Sequence, residues 1–126
     1  MTSVIRTSLA AAALAAAGAL ASAPALAHAM LEKASPPVGG TVTASPGEIR
    51  LTFSEAVAPQ FSGAQLEDAG GAPLPTGKPS TDPADGKTLV IPVARALAPG
   101  RYKVSWRAVS VDTHKTQGSF SFTVGK

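Results

Sequence analysis

Four runs in this chain alternate apolar and polar residues, and proline or glycine closes the ground between them. Ile49, Leu51 and Phe53 share one face of Glu48–Ser54, and Leu89, Ile91 and Val93 share one face of Lys87–Val93. Tyr102, Val104, Trp106 and Ala108 do the same over Arg101–Ala108, as do Phe120, Phe122 and Val124 over Ser119–Val124. A period of two sends side chains to opposite faces of a strand, so one face can meet a core and the other water. Pro36-Pro37-Val38-Gly39-Gly40, Ser45-Pro46-Gly47, Asp68-Ala69-Gly70-Gly71 and Ala98-Pro99-Gly100 read as turns. Weaker strands are expected at Met30–Ala34 and Ala64–Glu67. About seven short strands with no helical period predict an all-β, Ig-like Greek-key β-sandwich. Ala72–Gly86, rich in Pro, Gly, Asp and Thr, is expected to be a long surface loop. Pro92 predicts an edge or locally distorted strand for Lys87–Val93. Trp106 is expected in the core, with a partner for its indole N–H.

The first residues obey a different rule. Arg6 is the only charged side chain before Glu32, and an Ala/Leu run extends from Leu9 to Leu20. Ala25-Leu26-Ala27 has the small-x-small form of a secretory cleavage site. Residues 1–27 therefore read as a signal peptide, and residues 28–126 as one mature domain. Gly18, Ser22 and Pro24 interrupt the apolar run, which falls short of the roughly 20 residues of a spanning helix. That favours a cleaved signal over an uncleaved anchor. Ala27-His28-Ala29 also fits the cleavage pattern, and a cut there would discard His28. No second apolar segment is long enough to span a membrane.

The chain has no cysteine, so neither disulfides nor thiolate chemistry are open to it. Any metal site must use nitrogen, oxygen or thioether donors. The formal charge is +3, and loss of Arg6 lowers it by one. Acidic and basic residues are interspersed without a Lys/Arg cluster, which gives no footprint for nucleic acid. No phosphate-binding glycine loop, paired catalytic carboxylates or Ser/His/Asp nucleophile arrangement is visible.

The two histidines are His28 and His114. Cleavage after Ala27 would give His28 a free amine beside its imidazole, and the two can close a six-membered chelate. Asp112 and His114 are spaced i and i+2, which in extended backbone faces both side chains the same way. A terminal amine, two imidazoles and a carboxylate suit the tetragonal N,O preference of Cu(II), which also heads the affinity order of the divalent series. The nitrogen donors must lose protons to bind, so affinity is expected to fall below neutral pH. The plain alternatives are a surface histidine and an aspartate that organises a turn.

Several motifs together carry a family resemblance. They are His28-Ala29-Met30-Leu31, Ser35-Pro36-Pro37, Leu51-Thr52-Phe53-Ser54-Glu55, Tyr102 through Trp106-Arg107-Ala108-Val109-Ser110 to Asp112-Thr113-His114, and Gly118–Val124. This pattern, spread over essentially the whole mature chain, resembles the CopC family of periplasmic copper-resistance proteins. The resemblance implies a cupredoxin-like Greek-key barrel or sandwich that binds copper in the periplasm. It places one Cu(II) per chain on His28, Asp112 and His114, with Glu55 as a weak axial or outer group. Glu55 could equally be a solvated acid at a strand end. Some relatives add a methionine-rich Cu(I) loop. The corresponding Asp68–Gly86 here has neither Met nor His, so the resemblance implies a Cu(II)-only type. Met30 is expected to be a packed strand residue rather than a ligand.

The resemblance also implies a non-enzymatic copper carrier or sequestering protein; its oligomeric state is open from the sequence, with a small monomer the simplest expectation. Delivery to an inner-membrane copper transport protein of the CopD type would occur between separate chains. Two other classes compete. A terminal histidine with a second histidine is similar to the histidine brace of copper oxidative enzymes, although Asp112 would fill the position that oxygen needs. An Ig-like interaction module without metal is the other. Peroxide consumption by the copper-loaded protein separates the first from a carrier, and copper binding itself separates the second.

Overall fold

The computed structural model describes residues 29–126. The signal segment 1–27 and His28 lie outside the described residues. The alternating runs form the strands expected of them. In chain order these are β1 (Leu31–Ser35), β2 (Thr41–Val42), β3 (Glu48–Phe53), β4 (Gly63–Asp68), β5 (Pro73–Leu74), β6 (Ser80–Asp82), β7 (Asp85–Pro92), β8 (Gly100–Val109) and β9 (Lys115–Val124). A single 3-10 turn, Pro59–Phe61, precedes β4. One sheet has the order β1-β3-β7-β6 and the other β2-β9-β8-β4-β5. Pairing is antiparallel except where β2 runs parallel to β9.

The two sheets close on the residues that the alternation picked out. Ile49, Leu51 and Phe53 from β3 and Leu89 and Ile91 from β7 meet Leu66, Val104, Ala108, Phe120, Phe122 and Val124 from the other sheet, all buried. Burying each of these large side chains contributes roughly 1.5–3 kcal/mol. With no disulfide available, this core carries the fold. Tyr102 stacks on Phe122 with ring centroids 5.6 Å apart, and its hydroxyl donates to the Ala98 carbonyl at 2.5 Å. The aromatic body thus fills the core while the polar tip is satisfied. Among the described residues, no helix is long and apolar enough to cross a membrane.

Four expectations need correction. The segment expected to be a long loop contains β5, β6 and the start of β7. Its strands were hidden because β6 is Ser80-Thr81-Asp82, an outer strand with no apolar alternation. Pro83 and Ala84 form the tight turn that pairs Asp82 with Asp85. The described residues thus hold nine strands rather than about seven. β7 lies between β3 and β6, not at an edge, and it accommodates Pro92 by ending there. Met30 does not pack; it precedes β1 and is 61% exposed. Trp106 does pack against the core, partly buried, set edge-on to Phe53 at 5.3 Å and covering Gly118, where a Cβ would come within 2.7 Å of its ring.

Candidate metal centre

β8 and β9 are joined through residues 110–114, where Ser110 and His114 close a three-residue hairpin loop, Val111, Asp112 and Thr113. The Ser110 N–H donates to the His114 carbonyl at 2.9 Å, and the Thr113 N–H donates to the Ser110 carbonyl at 2.8 Å. A three-residue hairpin loop of this kind ends with a residue in left-handed conformation. Glycine normally fills that position, but here Thr113 does, at φ 76°. For a β-branched residue this region costs about 1–2 kcal/mol. Thr113→Gly should therefore raise the stability of the metal-free protein by about 0.5–1 kcal/mol, after glycine's own entropic cost is deducted. Thermal unfolding of the two forms checks the gain, and an unchanged or lower midpoint would show the turn to be unstrained.

This turn brings Asp112 and His114 together. His114 Nδ1 stands 3.1 Å from Asp112 Oδ1. The extended i, i+2 geometry expected from the sequence is not what does it. The chain reverses between the two residues, and Thr113 supplies the unusual dihedral. Asp112 Oδ1 also accepts the Ser110 hydroxyl and, at 3.3 Å, the His114 backbone N–H. The Ser110 bond first, and then His114, hold the Asp112 carboxyl down at about 2. A depressed carboxyl adds stability in its ionised form, so this contribution is complete above the ordinary range near pH 4. It is lost only as pH falls toward about 2. Across neutral and mildly acidic conditions Asp112 is thus a fixed negative charge that directs one ring nitrogen of His114 inward and the other, Nε2, away from it.

Ser110 is the residue the sequence reading missed. It is buried, pairs with Val57 in an isolated antiparallel β-bridge, and orients Asp112. The available signal was its register. It continues the inward-facing series of Val104, Trp106 and Ala108, where a polar residue needs a partner. Asp112 and His114 remain partly exposed, with side-chain exposures of 41% and 54%. Glu55 lies in the exposed bend after β3. Among the described residues, no three His, Cys, Asp or Glu side chains gather into one metal-sized group.

The described chain begins beside this turn. Ala29 is fully buried, and its carbonyl accepts the Thr116 hydroxyl at 2.8 Å. Met30 is held on both sides by Ser54. Its N–H donates to the Ser54 hydroxyl, and its carbonyl accepts the Ser54 N–H, both at 2.9 Å. Thr116 and Ser54 thus clamp the backbone that leads into β1. Neither hydroxyl was singled out from the sequence: Ser54 reads as an outward-facing residue at a strand end, and Thr116, in the register of Phe120 and Phe122, lies before the run that alternates.

Comparison with known proteins was consistent across sequence and structure. The family described as CopC domain matches residues 31–125. Protein YobA of Escherichia coli K12 is 42% identical over 98 residues, covering 78% of this chain and 79% of that protein. Copper resistance protein C of Escherichia coli is 41% identical over 106 residues, covering 79% and 83%. Among solved structures, that of PcoC, a methionine-rich copper resistance protein from Escherichia coli, superposes with a TM-score of 0.70. The two chains are 38% identical, with 78% of this chain and 99% of that one covered.

Proposed function

The chain belongs to the CopC family of copper resistance proteins, and from that premise we propose that it is a periplasmic Cu(II) carrier or sequestering protein. It would hold one ion on His28, Asp112 and His114. The observation that carries this reading is the fixed Asp112–His114 pair beside the clamped start of the described chain. Residue 28 is one peptide unit from Ala29, about 3.8 Å between Cα atoms. Ala29 is bonded to Thr116, only two residues along β9 from His114, about 7 Å in extended chain. A histidine with a free amine at position 28 would thus precede a residue tied to the strand that follows His114. Glu55 follows Ser54, which holds Met30, and would serve at most as an outer carboxylate.

The donor chemistry favours Cu(II) over Cu(I). Imidazole, amine and carboxylate suit the harder ion, whereas Cu(I) wants thioether or thiolate. The chain has two methionines, one of them Met1, and no cysteine. Met30 is exposed at the rim, and a single thioether does not make a Cu(I) site. Copper here is cargo. Four protein donors would fill the equatorial plane and leave no position for oxygen, which argues for carriage over turnover. A membrane transporter of the CopD type is a suitable separate recipient.

Titration of the exported protein with Cu(II) tests the reading. One equivalent should bind tightly, with an electron paramagnetic resonance spectrum of nitrogen-rich tetragonal copper. Affinity should fall as pH drops from about 8 to 5, because amine and imidazole must be deprotonated to bind. Asp112, ionised down to about 2, adds nothing to that slope. A flat profile, or no stoichiometric binding, would sink the assignment.

A further inference from the structure

The outer face of the five-stranded sheet carries a groove of about 620 Å³ beside the Asp112–His114 turn. Phe61, Arg107, Val109, Thr113, Lys115 and Gln117 line it. Strand register explains why they meet. Arg107 opposes Gln117, and Val109 opposes Lys115, across β8 and β9, so all four project from one face. On the other side Arg107 opposes Gly63 of β4. With no side chain at Gly63, the Arg107 guanidinium lies across that strand; a Cβ there would stand 3.3 Å from it. Phe61, from the 3-10 turn, closes the groove and is 62% exposed.

The charge balance is one-sided. Arg107 and Lys115 line the groove without any carboxylate, and neither forms an ion pair among the described residues. An aromatic ring and a valine between two uncompensated cations complement an apolar group flanked by negative charge. We propose that this groove docks an extended peptide segment of a partner protein in which an apolar side chain is flanked by carboxylates. The apolar side chain would lie on Phe61 and Val109. The carboxylates would pair with Arg107 and Lys115, with Gln117 and Thr113 as hydrogen-bonding neighbours. Val111, 68% exposed at the hairpin tip, extends the apolar track toward Asp112. An anionic bilayer is a poorer match, since polybasic membrane recognition uses clusters of roughly four to eight cations and this concave groove offers two. Thr113 belongs both to the groove and to the turn, so a docked segment lies one residue from Asp112 and from His114. Docking itself holds whether or not copper binds. Its use for handing copper on rests on the function proposed above.

Amide chemical shifts of the metal-free exported protein test the docking. The probe is acetyl-Glu-Phe-Asp-Leu-Glu-amide, and its neutral twin is acetyl-Gln-Phe-Asn-Leu-Gln-amide. The acidic peptide should cause saturable shifts at residues 107–109 and 113–117, and the neutral twin should bind at least tenfold more weakly. The double variant Arg107→Gln/Lys115→Gln should weaken the acidic peptide by a similar factor while keeping its fold and its Cu(II) affinity. Absence of saturable shifts, equal binding of both peptides, or shifts caused by phosphatidylglycerol vesicles and not by the peptide would each overturn the proposal. Normal peptide docking in a protein that does not bind Cu(II) would count against the copper assignment alone.

Discussion

Replacing His114 with alanine should lower Cu(II) affinity by more than a hundredfold and leave the fold intact. The magnitude follows from the role assigned to the ring. Removing a group that merely orients a metal-bound histidine costs about 10–100-fold, so removing the ligand itself should cost more. The fold should survive because His114 is half-exposed and contributes no side chain to the core. Its backbone carbonyl, which receives the Ser110 N–H, is retained in alanine. The Ser110 bond to Asp112 also remains, so the turn keeps its principal side-chain contact. A surface change of this kind shifts stability by about 0.5 kcal/mol at most. Asp112→Asn is the informative partner variant. It removes the charge that aims His114 Nδ1 while preserving size, and a loss of about 10–100-fold would mark an orienting group. A loss as large as that of His114→Ala would mark a direct ligand. Unchanged tight binding in His114→Ala would refute the site.

The core was legible from the sequence because strand alternation is a local property. Ile49, Leu51, Phe53, Leu89, Ile91, Val104, Phe120, Phe122 and Val124 all follow from a period of two, and all are buried. β6 was not legible, because a polar outer strand carries no such period and is defined only by its pairing with β7. Met30 was misjudged for a related reason. The chain is fixed there by Ser54 through backbone bonds, which leave the side chain in solvent. The spacing of Asp112 and His114 anticipated that the two side chains meet, but through the wrong geometry. What unites them is a reversal with Thr113 at positive φ, and no spacing rule predicts that a threonine will take a glycine's place. Ser110 was recoverable in principle, as a polar residue in an inward register.

The second large effect concerns the terminus. If His28 supplies both its amine and its imidazole, adding one residue before it should weaken Cu(II) binding as severely as removing His114. The extension turns the amine into an amide and breaks the chelate ring at its strongest donor. Stability should not change, because the extension leaves in place the Thr116 bond to the Ala29 carbonyl and the Ser54 bonds to Met30. Deleting His28 and Ala29, as a cut after Ala29 would do, should have a different signature. Copper binding is lost, and so are a buried methyl group and the Thr116 bond. Those losses cost about 0.8 kcal/mol for the methyl and about 1 kcal/mol for the bond. Loss of copper without loss of stability therefore identifies a blocked terminus, and loss of both identifies a shortened one. Intact mass of the exported protein, read beside Cu(II) titration and thermal unfolding of the three forms, distinguishes them. If the extended form bound copper as tightly as the native one, the amine would have no part in the site. The ion would then have to be held by side chains alone, and among the described residues no third His, Cys, Asp or Glu gathers with Asp112 and His114.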